Sequence, residues 1–322
     1  MIDAYQSTQT ESLVRAIEIW KPDARGERLE WASGVYGCLN DLREASQKMH
    51  FAKGEGLPGS AWEQRRPLVV NDLFVGDFRR SDEAARAGLT AGVAAPVIKN
   101  GEVQAIVVFL CGDREGAQGA FEVWRRTDRD ELGLDGGYYA HLERFGAVSR
   151  FVKFPRGSGL PGEVWNERFP KIIARLGESP NFMRAAGARA EALDVGVGLP
   201  IMRSTHDLAE VLVMLSSNAT PIARAFELWV LDEQSEVARL RLHSGSYGDM
   251  TQLADQSREL SFALDEGFVG RVWRTEEPQL ATDIASQESA RAASLREYDF
   301  HTALGMPIFI GSDARGVFVM LS

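Results

Sequence analysis

Phe51-Ala52-Lys53-Gly54-Glu55-Gly56-Leu57-Pro58-Gly59-Ser60-Ala61-Trp62 decides how this chain is read, because it occurs three times. The second copy is Phe154-Pro155-Arg156-Gly157-Ser158-Gly159-Leu160-Pro161-Gly162-Glu163-Val164-Trp165. The third, more divergent, is Phe262-Ala263-Leu264-Asp265-Glu266-Gly267-Phe268-Val269-Gly270-Arg271-Val272-Trp273. The last glycines, Gly59, Gly162 and Gly270, stand 103 and 108 residues apart. A repeat of that length is a domain rather than a solenoid unit. Other landmarks move in step. Ala16-Ile17-Glu18-Ile19-Trp20 returns as Ala120-Phe121-Glu122-Val123-Trp124 and as Ala225-Phe226-Glu227-Leu228-Trp229, with Trp spacings of 104 and 105. Pro96, Pro200 and Pro307 stand 104 and 107 apart. One Gly-rich turn recurs by chance, whereas three landmarks shifting together mark three copies, placed at 1–115, 116–218 and 219–322.

Within a copy the order repeats. Residues 7–18 carry Leu13, Val14 and Ile17 among polar neighbours, with Ser7 or Thr8 as caps, which predicts a short amphipathic helix. Ala16–Trp20 has strand character, and Leu29–Tyr36 returns across the turn Lys21–Gly26. Residues 41–48 read as a loop or short helix, and Met49–Ala52 as a strand. Ser60–Arg66 is a helix stopped by Pro67. Leu68–Val70 is a strand, and Ser81–Gly88 a helix closed by glycine. Gly92–Ile98 and Val103–Leu110 form a closing hairpin. Tight hairpins make antiparallel neighbours, so the fold class is α+β, with a central antiparallel sheet and short helices on one face of each copy. The last strands, Val103–Leu110, Leu208–Leu215 and Val317–Leu321, are apolar at nearly every position, a sign of burial on both faces. We expect the second face to be covered by packing between copies or between subunits.

The composition bounds the function. The 322 residues are 44% hydrophobic and 25% charged, with a net charge of −10. That balance argues against nucleic acid and anionic membranes as partners. Two cysteines, Cys38 and Cys111, build no disulfide framework, and no Cys/His set has zinc spacing. No leader peptide and no membrane-spanning run is visible. The expected location is the cytoplasm.

These residues resemble the GAF family of small-molecule-binding sensor domains. The likeness lies in Glu-hydrophobic-Trp on a strand, then Gly-x-Gly-Leu-Pro-Gly-x-hydrophobic-Trp. A strand ending near Asn71-Asp72, a helix entered by Phe78-Arg79 or Phe182-Met183-Arg184, and a Gly-x-x-x-Pro hairpin follow. The likeness covers the whole chain as three shortened tandem copies, of the kind found in bacterial signalling proteins. It implies a pocket under the short helix, lined by Trp62, Asp72 and Phe78, by Trp165 and Phe182, and by Trp273 and Asp283. Copy three departs in having Phe268-Val269 for Leu-Pro, and copy two has Ala174-Arg175 where copy one has Asn71-Asp72.

Each feature has two readings. The turn glycines and prolines (Gly54, Gly56, Pro58, Gly59; Gly157, Gly159, Pro161, Gly162; Gly267, Gly270) either present N–H groups to an anion or only shape a strand-to-helix connection. The sequence favours shape, because no Lys or Arg is fixed in all three turns. The helix tryptophans either stack on a planar ligand or plug the core. Glu18/Trp20, Glu122/Trp124 and Glu227/Trp229 each share a strand face. They are candidates for an interface with a neighbouring copy, or ordinary polar strand positions. No pattern supports a metal, haem, bilin or nucleotide cofactor, and no catalytic arrangement rises above background.

The expected function is therefore non-catalytic: a sensory or regulatory protein binding a small molecule, a signalling partner protein, or both. Three copies leave no room in the chain for a kinase, cyclase or DNA-binding output domain. One alternative is a degenerate scaffold for protein–protein contact or self-association. A remote one is a thiol-dependent methionine sulfoxide reductase in copy one, which needs Cys38 and Cys111 within reach of each other.

Overall fold

Three six-stranded antiparallel sheets form the protein, all with one strand order. The structure, a computed structural model, describes residues 12–112, 116–204 and 207–322. The first sheet comprises β1 (Val14–Pro22), β2 (Arg28–Val35), β3 (His50–Ala52), β4 (Leu68–Val70), β5 (Leu89–Lys99) and β6 (Glu102–Gly112). Their order is β3-β2-β1-β6-β5-β4. The second comprises β7 (Gly119–Arg126), β8 (Glu131–Ala140), β9 (Lys153–Pro155), β10 (Lys171–Ile173), β11 (Leu193–Met202) and β12 (Leu208–Ser217). The third comprises β13 (Ala225–Leu231), β14 (Arg239–Ser246), β15 (Ser261–Ala263), β16 (Gln279–Ala281), β17 (Ala303–Ile310) and β18 (Asp313–Leu321). Two compact units result, one ending at Ile222 with the first two sheets, the other Ala223–Ser322. The predicted helix over 7–18 gives way to strand from Val14 onward, and residues 7–11 lie outside the described residues.

β1 alternates once its inner face is known. Ala16 and Trp20 join the core under the helices with Ile106, Val108 and Leu110. Glu18 lies between them on the same face, fully buried. A polar residue at an inward position breaks the apolar alternation, which is why this segment read partly as a helix. The register slips at the same place in each copy, at Ile19/Trp20, Val123/Trp124 and Leu228/Trp229. Such a bulge adds one residue to the partner strand and re-aims side chains.

The Gly-rich stretch is itself the start of a helix, at Gly56–Gln64, Gly159–Glu167 and Gly267–Thr275. Pro58 and Pro161 sit in the first turn, where a missing N–H costs nothing. Gly56, Gly159 and Gly267 have φ near +60° (57, 62 and 62°), a backbone that favours glycine. Three residues on, a Cβ on Gly59, Gly162 or Gly270 would lie 2.1, 2.2 or 2.3 Å from the carbonyl oxygen of Ala52, Pro155 or Ala263. Helix and preceding strand meet backbone to backbone there.

The outward faces of the first two sheets meet within the first unit. Phe109 on β6 packs on Phe121 on β7, with ring centroids 5.5 Å apart. Their neighbours Leu110 and Ala120 point the other way, into the two helix-side cores. At the rim Arg66 Nη1 donates to Asp135 Oδ2 at 2.8 Å and reaches Glu210 Oε1 at 3.4 Å. Burial pushes the Glu210 carboxyl up against the pull of Arg66 and Arg125. The expectation that packing between copies covers this face thus holds for copies one and two. In β18, Val317–Leu321 is buried throughout.

Candidate functional site

The interior of each copy is organised around a buried carboxylate. In copy one it is Glu18, paired with Arg80 through both guanidinium Nη atoms, the Nη2–Oε2 contact at 3.0 Å. Trp20 Nε1 donates to it at 2.9 Å, Tyr36 OH at 3.0 Å, and Ser46 Oγ lies 2.9 Å away. In copy two Glu122 takes Arg184 (Nη2–Oε2 2.8 Å), Trp124 (2.9 Å) and Tyr139 (2.9 Å). In copy three Glu227 takes Arg291 (2.9 Å), Trp229 (2.8 Å) and Tyr247 (2.9 Å). Ser149 and Ser257 accept from the arginine Nη1 as Ser46 does.

The sequence builds this set locally. Glu and Trp are two apart on one strand face, so the indole N–H reaches its own neighbour's carboxylate. The returning strand supplies Gly-x-Tyr: Gly34-Val35-Tyr36, Gly137-Tyr138-Tyr139 and Gly245-Ser246-Tyr247. A Cβ on Gly34, Gly137 or Gly245 would lie 2.4, 2.7 or 2.7 Å from that tyrosine's ring, so the glycine makes space for the phenol to lean over the glutamate. The serine lies in the last turn of the helix that follows. The arginine comes from the segment leading into the last helices. Arg184 is boxed by aromatic rings, its guanidinium carbon 5.3, 4.7, 5.7 and 5.3 Å from the centroids of Trp124, Phe145, Phe154 and Phe182.

The six strand residues Glu18, Trp20, Glu122, Trp124, Glu227 and Trp229 therefore lie inside their own copies, with relative exposures of 0%. Trp62, Trp165 and Trp273 sit in the same cores. Lys53 Nζ stands 4.9 Å over the Trp62 ring, and Trp273 Nε1 donates to the Ala314 carbonyl at 3.1 Å. Phe78 and Phe182 pack on Arg80 and Arg184, at 5.2 and 5.3 Å. Asp72 and Asp283 are not brought to this place. Both are exposed; Asp72 accepts from Phe74 N at 2.8 Å, and Asp283 caps the helix Ile284–Gln287 by accepting from Ser286 N at 3.2 Å. Sequence reasoning missed the arginines, tyrosines and serines. The signal was there: Glu and Arg are 62, 62 and 64 residues apart in the three copies. The residue matching Arg184 is Arg80, whereas Arg79 pairs with Glu55 near the surface at 2.6 Å.

Burial pushes the Glu18 and Glu122 carboxyls up, but the facing Arg80 and Arg184 charges and the donated hydrogen bonds outweigh it, and both end below their ordinary value. Tyr36, Tyr139 and Tyr247 are pushed up, first by burial and then by the adjacent carboxylate charge, so they remain donors. Burial likewise raises the Cys111 thiol. Cys111 follows Leu110, whose side chain faces the helices, so the thiol points to the opposite face of the sheet. Cys38 is exposed. Among the described residues no group of three or more His, Cys, Asp or Glu is placed to hold a metal ion.

Copy three adds a second buried carboxylate, three residues before the arginine. Glu288 Oε1 accepts from Phe268 N at 2.8 Å and Val269 N at 3.2 Å, at the start of the helix Gly267–Thr275. In copy one Asp77 holds the equivalent place, exposed and 3.3 Å from Gly56 N, and in copy two it is Asn181. Burial raises the Glu288 carboxyl although Arg291 and the two N–H groups pull it down. A carboxyl raised on folding contributes stability in its protonated form, and that contribution is lost as pH rises through the raised value. Glu288→Gln keeps the acceptor and removes the charge. It is expected to raise the melting temperature at pH 8 by about 4 °C, on the scale of 1 kcal/mol in a domain of this size. The gain should shrink toward pH 5. A variant less stable than wild type at pH 8 in calorimetry would show that the charge stabilises the helix end instead.

With this geometry in place, the family is clear. The GAF domain family model matches residues 16–126 and 205–322, more than half of the chain, and the chain belongs to that family. Residues 127–204 lie outside those matches, yet the second sheet and its Glu122–Arg184 pair repeat the pattern of the other two. The chain is similar to the A. aeolicus nlh2 GAF domain in an inactive state, at 20% identity over 35% of this chain and 78% of that one, with a TM-score of 0.26. It is similar to a Staphylococcus aureus NreA protein mutated in its nitrate binding site (18% identity, 34% and 82% coverage, TM-score 0.27). It is also similar to the free methionine-R-sulfoxide reductase of Neisseria meningitidis (13% identity, 34% and 70%, TM-score 0.25). No curated protein matches the chain. The fold is that of sensory and regulatory domains. No helix among the described residues is long and apolar enough to cross a membrane.

Proposed function

We propose that the protein is a non-catalytic regulatory GAF protein that acts through contact with a partner protein. One observation carries this reading. The space between sheet and helices in every copy is crossed by an arginine, Arg80, Arg184 or Arg291, paired to a buried glutamate. A small molecule entering there would have to part a guanidinium from a buried carboxylate, and breaking such a pair costs about 3–5 kcal/mol. The raised, sheet-buried Cys111 thiol supports no thiolate chemistry. Two unbridged thiols suit a reducing cytoplasm.

Thermal melting of the whole protein with millimolar nucleotides, tetrapyrroles and amino-acid metabolites tests this. No stabilisation is expected from any of them. A ligand present at about 100 times its Kd adds about 2.7 kcal/mol, a shift of several degrees, and such a shift would install ligand sensing in place of this reading.

A further inference from the structure

The three copies share a helix between the second and third strands, and only in copy two do this helix and the turn that ends it expose large apolar side chains. Ser46, Ser149 and Ser257 fix the register, because all three accept from the buried arginine. In copy two the helix is Glu143–Ser149. Arg144 and Val148 stand at i and i+4 on one face of it, and Phe151, two residues past its end, closes back through its N on the Val148 carbonyl at 3.0 Å. Val148 is 57% exposed and Phe151 85%. The equivalent positions are Asp41, Ala45 and Lys48 in copy one, and Gln252, Gln256 and Glu259 in copy three. No demand of the fold puts a phenylalanine there, since the other two copies build the same helix with charged residues.

The charge follows the same division. Residues 143–156 carry Arg144, Arg150, Lys153 and Arg156, all exposed, against Glu143, a local net charge of +3. The matching stretches 40–53 and 251–264 carry +1 and −1. The chain as a whole carries −10. A basic rim around exposed apolar side chains, in an otherwise acidic protein, is complementary to an acidic amphipathic segment. It is not complementary to an anionic bilayer, which would meet the rest of the acidic surface at close range.

We infer that the Arg144–Val148–Phe151 face of copy two is a docking surface for an acidic amphipathic helix of a partner protein. The inference rests on the reading of the protein as a partner-binding regulator and names where that contact falls. Phe151 inserts between apolar residues of the partner helix, and Arg144, Arg150 and Lys153 meet its acidic flanks.

The test uses the full chain and a fluorescently labelled 18-residue peptide with Leu at i, i+4 and i+7 and Glu on both flanks. Anisotropy should rise on titration, and the response should weaken as salt is added. Phe151→Ser should weaken binding about tenfold, as truncation of an aromatic anchor does. Arg144→Glu with Arg150→Glu should do the same, and a Lys-flanked twin peptide should bind at least tenfold worse than the Glu form. Phe151 is exposed, so its substitution leaves the fold intact. The proposal is overturned if the acidic peptide does not bind, if Phe151→Ser binds it as wild type does, or if the twin peptide binds equally. It is also overturned if the chain sediments with phosphatidylglycerol vesicles in a Phe151-dependent way, or forms a dimer that Phe151→Ser dissociates. Those outcomes give the face to a membrane or to a second copy. Failure of the peptide leaves partner binding open at another surface, whereas ligand-induced stabilisation in the melting assay strikes the functional reading itself.

Discussion

Arg184→Met should cost copy two about 3–5 kcal/mol, the penalty for leaving a buried charge uncompensated. Glu122 has 0% exposure, and Arg184 supplies its two guanidinium contacts. Trp124 and Tyr139 would still donate to the carboxylate, but neither brings a positive charge. Methionine fills part of the aromatic box left by the guanidinium, so the loss measured is mostly electrostatic rather than a cavity. With a urea m-value of about 2 kcal/mol/M, the unfolding midpoint should fall by roughly 2 M. Glu122→Leu combined with Arg184→Met should recover most of this, because an apolar pair of similar volume is often neutral or better. Arg86→Met is the control: Arg86 pairs with Glu83 at 3.2 Å on an exposed helix face and should change stability by at most about 0.5 kcal/mol. The effect also has a pH sign. The Glu122 carboxyl is lowered on folding, so its contribution is complete above the ordinary carboxylate range and drains away as pH falls through the lowered value. The gap between wild type and variant should therefore narrow in acid. If Arg184→Met unfolds within 1 kcal/mol of wild type at pH 7, the pair is not what organises the interior.

The repeat was legible because its markers are local. Gly-x-Gly, Glu-x-Trp and the closing proline each fall within a few residues, and each keeps its distance from the next copy's equivalent. The antiparallel class followed from tight hairpins, whereas the pairing of the first strand with the last, β1 with β6, did not. What the sequence hid is non-local. Glu18 and Arg80 are 62 residues apart, and nothing in the periodicity of either segment announces the other. Arg79 beside Arg80 made the wrong arginine look like the match to Arg184, and copy three spaces the pair two residues wider. The helix start at Gly56 was hidden as well. Glycine and proline normally break helices, and only the first turn, whose N–H groups have no partner inside the helix, admits them. The tryptophans were placed correctly on the short helix, but whether they faced a ligand or a core depended on what else entered the same space. The arginines that enter it stack on the strand tryptophans Trp20, Trp124 and Trp229, 62 to 64 residues from their glutamates, and no local pattern announces them.

Gly162→Ala should destabilise copy two by about 3 kcal/mol, against the usual trend. In a helix interior the exchange normally gains up to about 1 kcal/mol. Here the new Cβ would stand 2.2 Å from the Pro155 carbonyl oxygen. That atom is backbone, at the end of β9, and cannot rotate away. Relief requires moving helix and strand apart by more than an ångström. The movement would stretch the bond from Gly157 N to the Gly162 carbonyl, now 2.7 Å, and that from Ser158 N to the Pro155 carbonyl, 3.0 Å. Overpacking alone typically costs 1–3 kcal/mol, and the loosened hydrogen bonds add to it. Gly59→Ala and Gly270→Ala should behave alike, since their Cβ atoms would meet Ala52 and Ala263 carbonyl oxygens at 2.1 and 2.3 Å. Asn166→Ala, exposed on the same helix as Gly162, is the control and should be neutral or slightly stabilising. The comparison also separates the two readings of the Gly-rich stretch. Alanine keeps every N–H of the helix start, so a stretch used only to hold an anion would lose little stability in anion-free buffer. A loss of about 3 kcal/mol there, in all three copies, assigns these glycines to the close approach of two backbones. A Gly162→Ala protein as stable as wild type in urea would remove that assignment and return the turn to ligand binding.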